Sequence, residues 1–332
     1  MKLLKTLIAT TALVGAATLA NAQANPAVIF DLGGKFDKSF NEMSYTGAER
    51  FREETGISYR EFELQSDAQR EQALRRFAQS GSNPVVVAGF SNATAMATVA
   101  PDFPDTDFVI IDMVVDAPNV RSVVFAEQEG SYLVGMLAAM ASKTGTISFV
   151  GGMDIPLISN FQCGYTQGAK AVNPDINVLA TMTGTDGTAW NNPVKGGELT
   201  MSQIENGSDV VFAAAGGTGR GVLQAATDAG IFGIGVDANQ NYMHPGNMLT
   251  SMMKRVDVAV YDAFNDVNNG EFTAGIQVMG LAEEGVGFAL DEYNKDLITP
   301  EMLAAVEDAT AAIIAGDIVV HDYRTDNTCP VQ

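Results

Sequence analysis

Two doubly wound α/β units in tandem are what the sequence predicts, and three observations predict them. The chain has 332 residues, room for two domains at roughly 150 residues each. Short, fully apolar runs such as Val85-Val86-Val87 and Phe108-Val109-Ile110-Ile111 alternate with amphipathic stretches, the pattern of parallel strands covered on both faces and joined by helical crossovers. The alternation then restarts near the middle of the chain.

In order, the first unit reads as a strand over 27–30, a helix over 39–55, a strand over 58–63, a helix over 68–80, a strand over 84–89, a helix over 93–100 and a strand over 107–112. Residues 122–126 form the next strand, and the boundary falls near 126–130. The second unit continues with a helix over 131–142, a strand over 145–150, a helix near 162–172 and a strand over 177–182. A helix over 195–206, a strand over 209–214, a helix over 221–228 and a strand over 232–236 follow. Residues 249–270 read as a strand then a helix, and 300–315 as a late helix, so the chain is expected to cross between units more than once. The expected organisation is 1–22 as a leader, 23–127 plus about 249–280 as one unit, and 128–248 plus about 281–332 as the other.

Nineteen Lys and Arg against 40 Asp and Glu give a formal charge of −21. A surface that negative repels phosphate backbones and anionic lipids alike, which argues against nucleic-acid polymers and acidic membranes as partners. Lys2 and Lys5 precede an uncharged run of apolar and small residues over 7–19, and Ala20-Asn21-Ala22 supplies a cleavage signal. That is a secretory leader; the run is too diluted by Thr, Gly and Ala for a spanning helix. The expected location is the periplasm, and with no Cys at the cleavage site no lipid anchor is expected.

The two cysteines, Cys163 and Cys329, would sit in an oxidising compartment, where an isolated pair is more often bridged than free. A bridge would staple the C-terminal tail onto the second half; the alternative is one buried and one exposed thiol. With His244 and His321 the only histidines, no metal-ligand spacing and no Ser-His-Asp set is present, so neither catalysis nor a metal or cofactor is expected.

In open α/β sheets ligands bind beyond the carboxyl ends of strands, so the strand-end loops carry the chemistry. The first loop, Asp31-Leu32-Gly33-Gly34 through Asp37 to Phe40-Asn41, combines glycines for close backbone approach, an Asp or Ser to cap the next helix, an aromatic face and an amide. Asp112 ends the fourth apolar run. Phe212 lies in the run that leads into Ala215-Gly216-Gly217-Thr218-Gly219-Arg220-Gly221, and Asp237 ends the following strand. This imitates a dinucleotide fingerprint, but the glycines fall as G-x-G-x-G rather than G-x-G-x-x-G. Asp237 can equally accept from two neighbouring hydroxyls of a pentose while Phe212 stacks on a ring. Lys254 can supply a cation to the same cleft, and Trp190, the sole tryptophan, is either a cleft wall or a packing residue.

Taken as a set, Asp31-Leu-Gly-Gly with Asp37-Lys-Ser-Phe-Asn41, Phe108-Val-Ile-Ile-Asp112, Asn119-Val-Arg-Ser-Val-Val-Phe125, Gly151-Gly-Met153, Ala215-Gly-Gly-Thr-Gly-Arg-Gly221, Ile234-Gly-Val-Asp237 and Leu249-Thr-Ser-Met-Met-Lys254 resemble the basic membrane protein family of ABC-transporter solute-binding proteins, whose characterised members bind purine nucleosides. The resemblance implies the type I periplasmic binding protein fold, two Rossmann-like lobes joined by a hinge, a monomer, and an inner-membrane permease and ATPase as partners. It implies that Phe40 and Phe212 sandwich the base, Asn41 and Asp112 read its edge, and Asp237 and Lys254 hold the ribose, with Gly216 and Gly217 admitting the sugar. Another solute on the same fold (a free nucleobase, a sugar or a signalling molecule) and an exported nucleotide-cofactor enzyme are the competing readings.

Overall fold

The computed structural model describes residues 24–331; the predicted leader, 1–22, lies outside the described residues. The chain runs β1 (Ala27–Phe30), α1 (Phe40–Thr55), β2 (Arg60–Glu63), α2 (Arg70–Gln79), β3 (Val85–Val87), α3 (Ala93–Val99), β4 (Phe108–Ile111) and β5 (Val120–Phe125). Next come α4 (Glu127–Ala141), β6 (Thr146–Met153), α5 (Pro156–Val172), β7 (Asn177–Gly184), α6 (Pro193–Glu205), β8 (Val210–Ala214), α7 (Gly219–Asp228), β9 (Phe232–Asp237) and β10 (Met248–Lys254). It ends with α8 (Val256–Asn269), β11 (Gly275–Met279), β12 (Val286–Phe288) and α9 (Pro300–Ala315).

Two six-stranded sheets result. The first has the order β2-β1-β3-β4-β5-β11, every neighbour parallel. The second repeats it as β7-β6-β8-β9-β10-β12, parallel except for β12, which runs antiparallel to β10. Strands β1, β3, β4 and β8 are buried along their whole length, as strands covered on both faces must be. Each Val, Ile or Phe so placed contributes about 1.5–3 kcal/mol of burial.

The strand order reverses between β1 and β3 in the first lobe and between β6 and β8 in the second. A crevice opens at the carboxyl ends of strands at such a point. Both lobes turn these edges toward one another, and that arrangement sets the position of the site.

The lobes are linked by three crossings, at Phe125–Glu127, at Lys254–Val256, and through the segment from Met279 to Val286. They lie side by side: Ala126 N donates to Met279 O at 3.1 Å and Arg255 N to Gly285 O at 2.8 Å. The second crossing corrects the expected organisation. Residues 249–254 belong to the second sheet, because β10 pairs with β9, and the chain returns to the first lobe only with α8, which packs on α1. Two short strands, β11 and β12, were absent from the sequence reading. Helix α5 begins at Pro156, six residues before the expected start, and α4 begins at Glu127 rather than at 131.

Cys163 on α5 and Cys329 in the C-terminal tail form a disulfide, their Cα atoms 5.6 Å apart. No described helix is long and apolar enough to cross a membrane.

Candidate functional site

The first loop is built from its acid and amide side chains. Asp37 accepts from the backbone N–H groups of Ser39 (2.8 Å), Asn41 (3.0 Å) and Glu42 (3.1 Å), which satisfies the free donors at the start of α1 and fixes where Phe40 points. Asn41 is buried and binds the loop at both ends of its amide: Oδ1 accepts from Asp31 N at 2.9 Å, while Nδ2 donates to Asp31 O at 3.1 Å and Gly34 O at 3.3 Å. Asp31 pairs with Arg70 at 2.7 Å on the same lobe. Gly89, at φ +95°, passes so close to Asp31 that an added Cβ would fall 2.2 Å from its Oδ2. Burial pushes the Asp31 carboxyl up and Arg70 draws it back. Burial pushes Asp37 up further, to about 7, against the pull of its three N–H donors.

Asp112 and Asp237 occupy equivalent places in the two lobes, directly after β4 and at the end of β9. Both adopt the left-handed region, with φ of 71° and 62°. For a residue with a Cβ this conformation is uncommon and clusters at functional positions. Asp237 accepts from Ser39 Oγ across the cleft, and Gln240 Nε2 donates to Lys38 O at 2.8 Å, so the second lobe is tied to the first at both points.

Lys254, at the end of β10, is 1% exposed. Its ammonium lies 2.7 Å from Asp112 and 3.1 Å from Glu127, and 5.4 Å, 5.0 Å and 5.5 Å from the ring centres of Phe40, Phe125 and Phe161. Burial alone would lower its pKa, but Asp112, Glu127 and Asp237 outweigh that and keep the ammonium charged. Carboxylates outnumber cations here: burial, Glu127 and Asp237 hold Asp112 up at about 6 although Lys254 pulls it down. Asp237 is likewise raised by burial, against Lys254 and the Ser39 hydroxyl.

Around these groups lies a cleft between the two lobes. Its walls are aromatic and apolar, with Phe40 and Phe90 from the first lobe and Trp190, Phe161, Ile158 and Leu157 from the second. Trp190 lies on two glycines; a Cβ on Gly152 would meet its ring at 2.2 Å and one on Gly216 at 3.7 Å. Among the described residues no group of His, Cys, Asp and Glu could hold a metal ion.

Of the residues singled out by sequence, Asp31, Phe40, Asn41, Asp112, Trp190, Gly216, Asp237 and Lys254 line this cleft together. Phe212 does not. Its side chain shares a face of β8 with Ala214, one layer deeper, and Ala214 occupies the cleft wall. Phe212 is fully buried and packs on Phe149, Tyr165 and Phe161 with ring centres 5.5, 5.4 and 6.4 Å away. The stacking role expected of it therefore has no ring in the cleft. Gly217 stands behind Gly216, against the Trp190 carbonyl, and is outside the lining. Sequence reading missed Phe161, Ile158 and Leu157, whose signal was Pro156 at a helix start, and Glu127, which looks like a surface acid on paper.

Known proteins resemble this chain throughout. The family model described as ABC transporter substrate-binding protein PnrA-like matches residues 24–322. The ABC transporter nucleoside-binding protein BmpA of Lactococcus lactis is 32% identical over 317 residues, covering 89% of this chain and 88% of its own. A lipoprotein of Pyrococcus horikoshii is 36% identical over 278 residues, 79% of this chain and 68% of its own. The crystal structure of a solute-binding protein of an ABC transporter system from Aeropyrum pernix superimposes with a TM-score of 0.82 at 31% identity, over 90% of this chain and 94% of its own.

Proposed function

The chain belongs to the Bmp family of ABC transporter substrate-binding proteins, and from that premise we propose that it captures a purine nucleoside between its lobes and delivers it to an inner-membrane permease and ATPase. One observation carries the reading: aromatic rings contributed by both lobes enclose a cleft whose end holds two left-handed strand-end carboxylates and one buried ammonium. A flat, apolar base suits the first part and a vicinal diol the second.

In this proposal Phe40 and Trp190 take the two faces of the base, which replaces the Phe40–Phe212 pair expected from sequence. Asp112 reads the base edge, and Asn41 acts by holding the Asp31–Gly34 loop rigid. Asp237 accepts from two ribose hydroxyls. An ammonium has three N–H bonds; Lys254 gives one each to Asp112 and Glu127, and the third goes to the sugar. The Gly216 backbone, without a side chain, lets the ribose approach. Closure is a rotation about the three crossings, completed by the Ser39–Asp237 and Gln240–Lys38 bonds.

The protein works as a periplasmic monomer after loss of residues 1–22. Release of the protein from cells by osmotic shock, with a mature N-terminus at residue 23, checks the location.

The test of the binding reading is Asp237→Ala. A desolvated hydroxyl left without its carboxylate costs about 1–3 kcal/mol, so ribosides should lose roughly 5- to 150-fold in affinity while free bases lose little. Equal losses for riboside and base would sink the ribose assignment.

A further inference from the structure

We propose that Arg324, in the C-terminal tail and far from β10 in sequence, is a positioning residue of the ligand site, acting on Lys254 through Glu127. The inference rests on the proposed role of Lys254 in the cleft.

The geometry is a relay of charged groups in which the two carboxylate oxygens of Glu127 face different cations. Glu127, with no exposed side-chain surface, turns Oε1 to Lys254 at 3.1 Å and Oε2 to Arg324 at 3.0 Å. Asn160 Nδ2 adds a bond to Oε2 at 3.3 Å. Lys254 then meets Asp112 at 2.7 Å. Arg324 is fixed in turn. Its Nε and Nη2 grip Asp322 at 2.9 and 2.8 Å, and Nη2 also donates to Phe125 O, at the first crossing, at 3.0 Å.

The tail that carries Arg324 is held on α5, the helix that supplies Phe161, Ile158 and Leu157 to the cleft. Gln167 binds the backbone of His321 twice, at 2.9 and 3.0 Å, and Asn160 Oδ1 accepts from Tyr323 N at 3.0 Å. The Cys163–Cys329 disulfide fastens the same tail beyond these bonds.

The charges explain why the relay matters. Facing one another are Asp112 directly after β4, Glu127 at the start of α4, Asp237 at the end of β9, Lys254 at the end of β10, and Arg324 with Asp322 on the tail. With Arg324 present, Glu127 has a cation of its own and shares Lys254 with Asp112. Without it, a buried carboxylate lacks a partner and competes for the single ammonium, and burying an unpaired charge is strongly unfavourable. Either Lys254 is drawn toward Glu127 and away from the cleft, or a carboxylate of the cluster takes up a proton.

The experiment compares the full mature protein with Arg324→Gln, Arg324→Lys and the double variant Glu127→Gln/Arg324→Gln. Each is titrated calorimetrically with adenosine, guanosine and inosine from pH 5.5 to 8, and each is melted without ligand over the same range. Arg324→Gln should bind about tenfold or more weakly at pH 8, with the deficit shrinking as the pH falls and a carboxylate protonates. Arg324→Lys should keep most of the affinity. The double variant should recover affinity relative to Arg324→Gln, because a neutral amide at 127 no longer needs a cation. Titrations of Arg324→Gln that match the wild type at every pH would overturn the proposal, as would a pH-independent loss that neither Arg324→Lys nor the added Glu127→Gln repairs. If the wild type binds none of the nucleosides, the purine reading falls on its own. The melting deficit of ligand-free Arg324→Gln still judges the relay, which requires that deficit to widen from pH 5.5 to 8 and is overturned if it stays constant.

Discussion

Alanine at Phe212 and alanine at Trp190 should separate a core residue from a cleft residue, although each removes an aromatic ring from a strand-end region of the same lobe. Phe212 is fully buried among Phe149, Phe161 and Tyr165, and a Phe→Ala change in such a setting costs about 3–5 kcal/mol. For a lobe of roughly 150 residues each kcal/mol moves Tm by about 2–4 °C, so the variant should melt roughly 6–20 °C below the wild type. Held well below its Tm, its folded fraction should bind a purine nucleoside with affinity near that of the wild type. Trp190 is half-buried on the cleft wall, and its loss should leave Tm little changed. Aromatic stacking on a base is worth about 1–3 kcal/mol, which puts the loss of affinity at roughly 5- to 150-fold. Thermal melting of ligand-free protein and calorimetric titration read the two effects separately. The reasoning is refuted if Phe212→Ala melts within a degree or two of the wild type yet loses as much affinity as Trp190→Ala.

Asp37→Asn tests the acid that caps α1: with a pKa near 7 when folded against 3.8 ordinarily, Asp37 keeps a proton between those pH values that the unfolded chain has released. Wild-type stability should therefore fall relative to the variant as pH rises from about 4 to about 7, by up to about 1.4 kcal/mol per pH unit, and urea titrations showing a flat difference would contradict it. Gly89→Ala places a Cβ at φ +95° and 2.2 Å from Asp31 Oδ2; the strain and the displaced Asp31–Arg70 pair should cost about 1–3 kcal/mol or more, and an unchanged denaturation midpoint would dismiss the close approach. Reducing the Cys163–Cys329 bond releases a loop spanning 166 residues, for which chain entropy sets a stabilisation of about 5 kcal/mol; the reduced protein should melt lower, and an identical Tm would show that the bond adds nothing.

How much of this was legible in the sequence depended on the local signal at each position. Strands β1, β3, β4 and β8 stand out because they are built wholly from Val, Ile, Phe and Ala, the residues that burial between two helical layers favours, and the acids directly after β4 and at the end of β9 were legible because they interrupt such apolar runs. Sheet membership was not. Met248–Lys254 reads as an apolar strand whichever sheet receives it, and only pairing with β9 assigns it to the second lobe. Strand β11 escaped notice because it is an edge strand, with Ile276 and Val278 exposed, and β12 because it has only three residues. In the cleft, Phe212 and Trp190 look alike as aromatic residues near strand ends. The depth of a side chain along its strand separates them, and that depth is a property of the packed sheet. Setting the start of α5 too late hid Leu157, Ile158 and Phe161 in an apparent loop. Glu127 and Arg324 were invisible for another reason: their partnership joins residues 197 positions apart, and no local pattern announces it.

The most direct test of the central claim is calorimetric titration of the mature protein, unfolded and refolded to strip bound solute, with adenosine, guanosine, inosine, uridine, adenine and ribose. Tight one-to-one binding of a purine riboside, with uridine, adenine and ribose all much weaker, is the predicted result. Tight binding of free ribose or adenine, or no heat from any of the six, would contradict the nucleoside assignment and send the search to the solute that copurifies with the native protein.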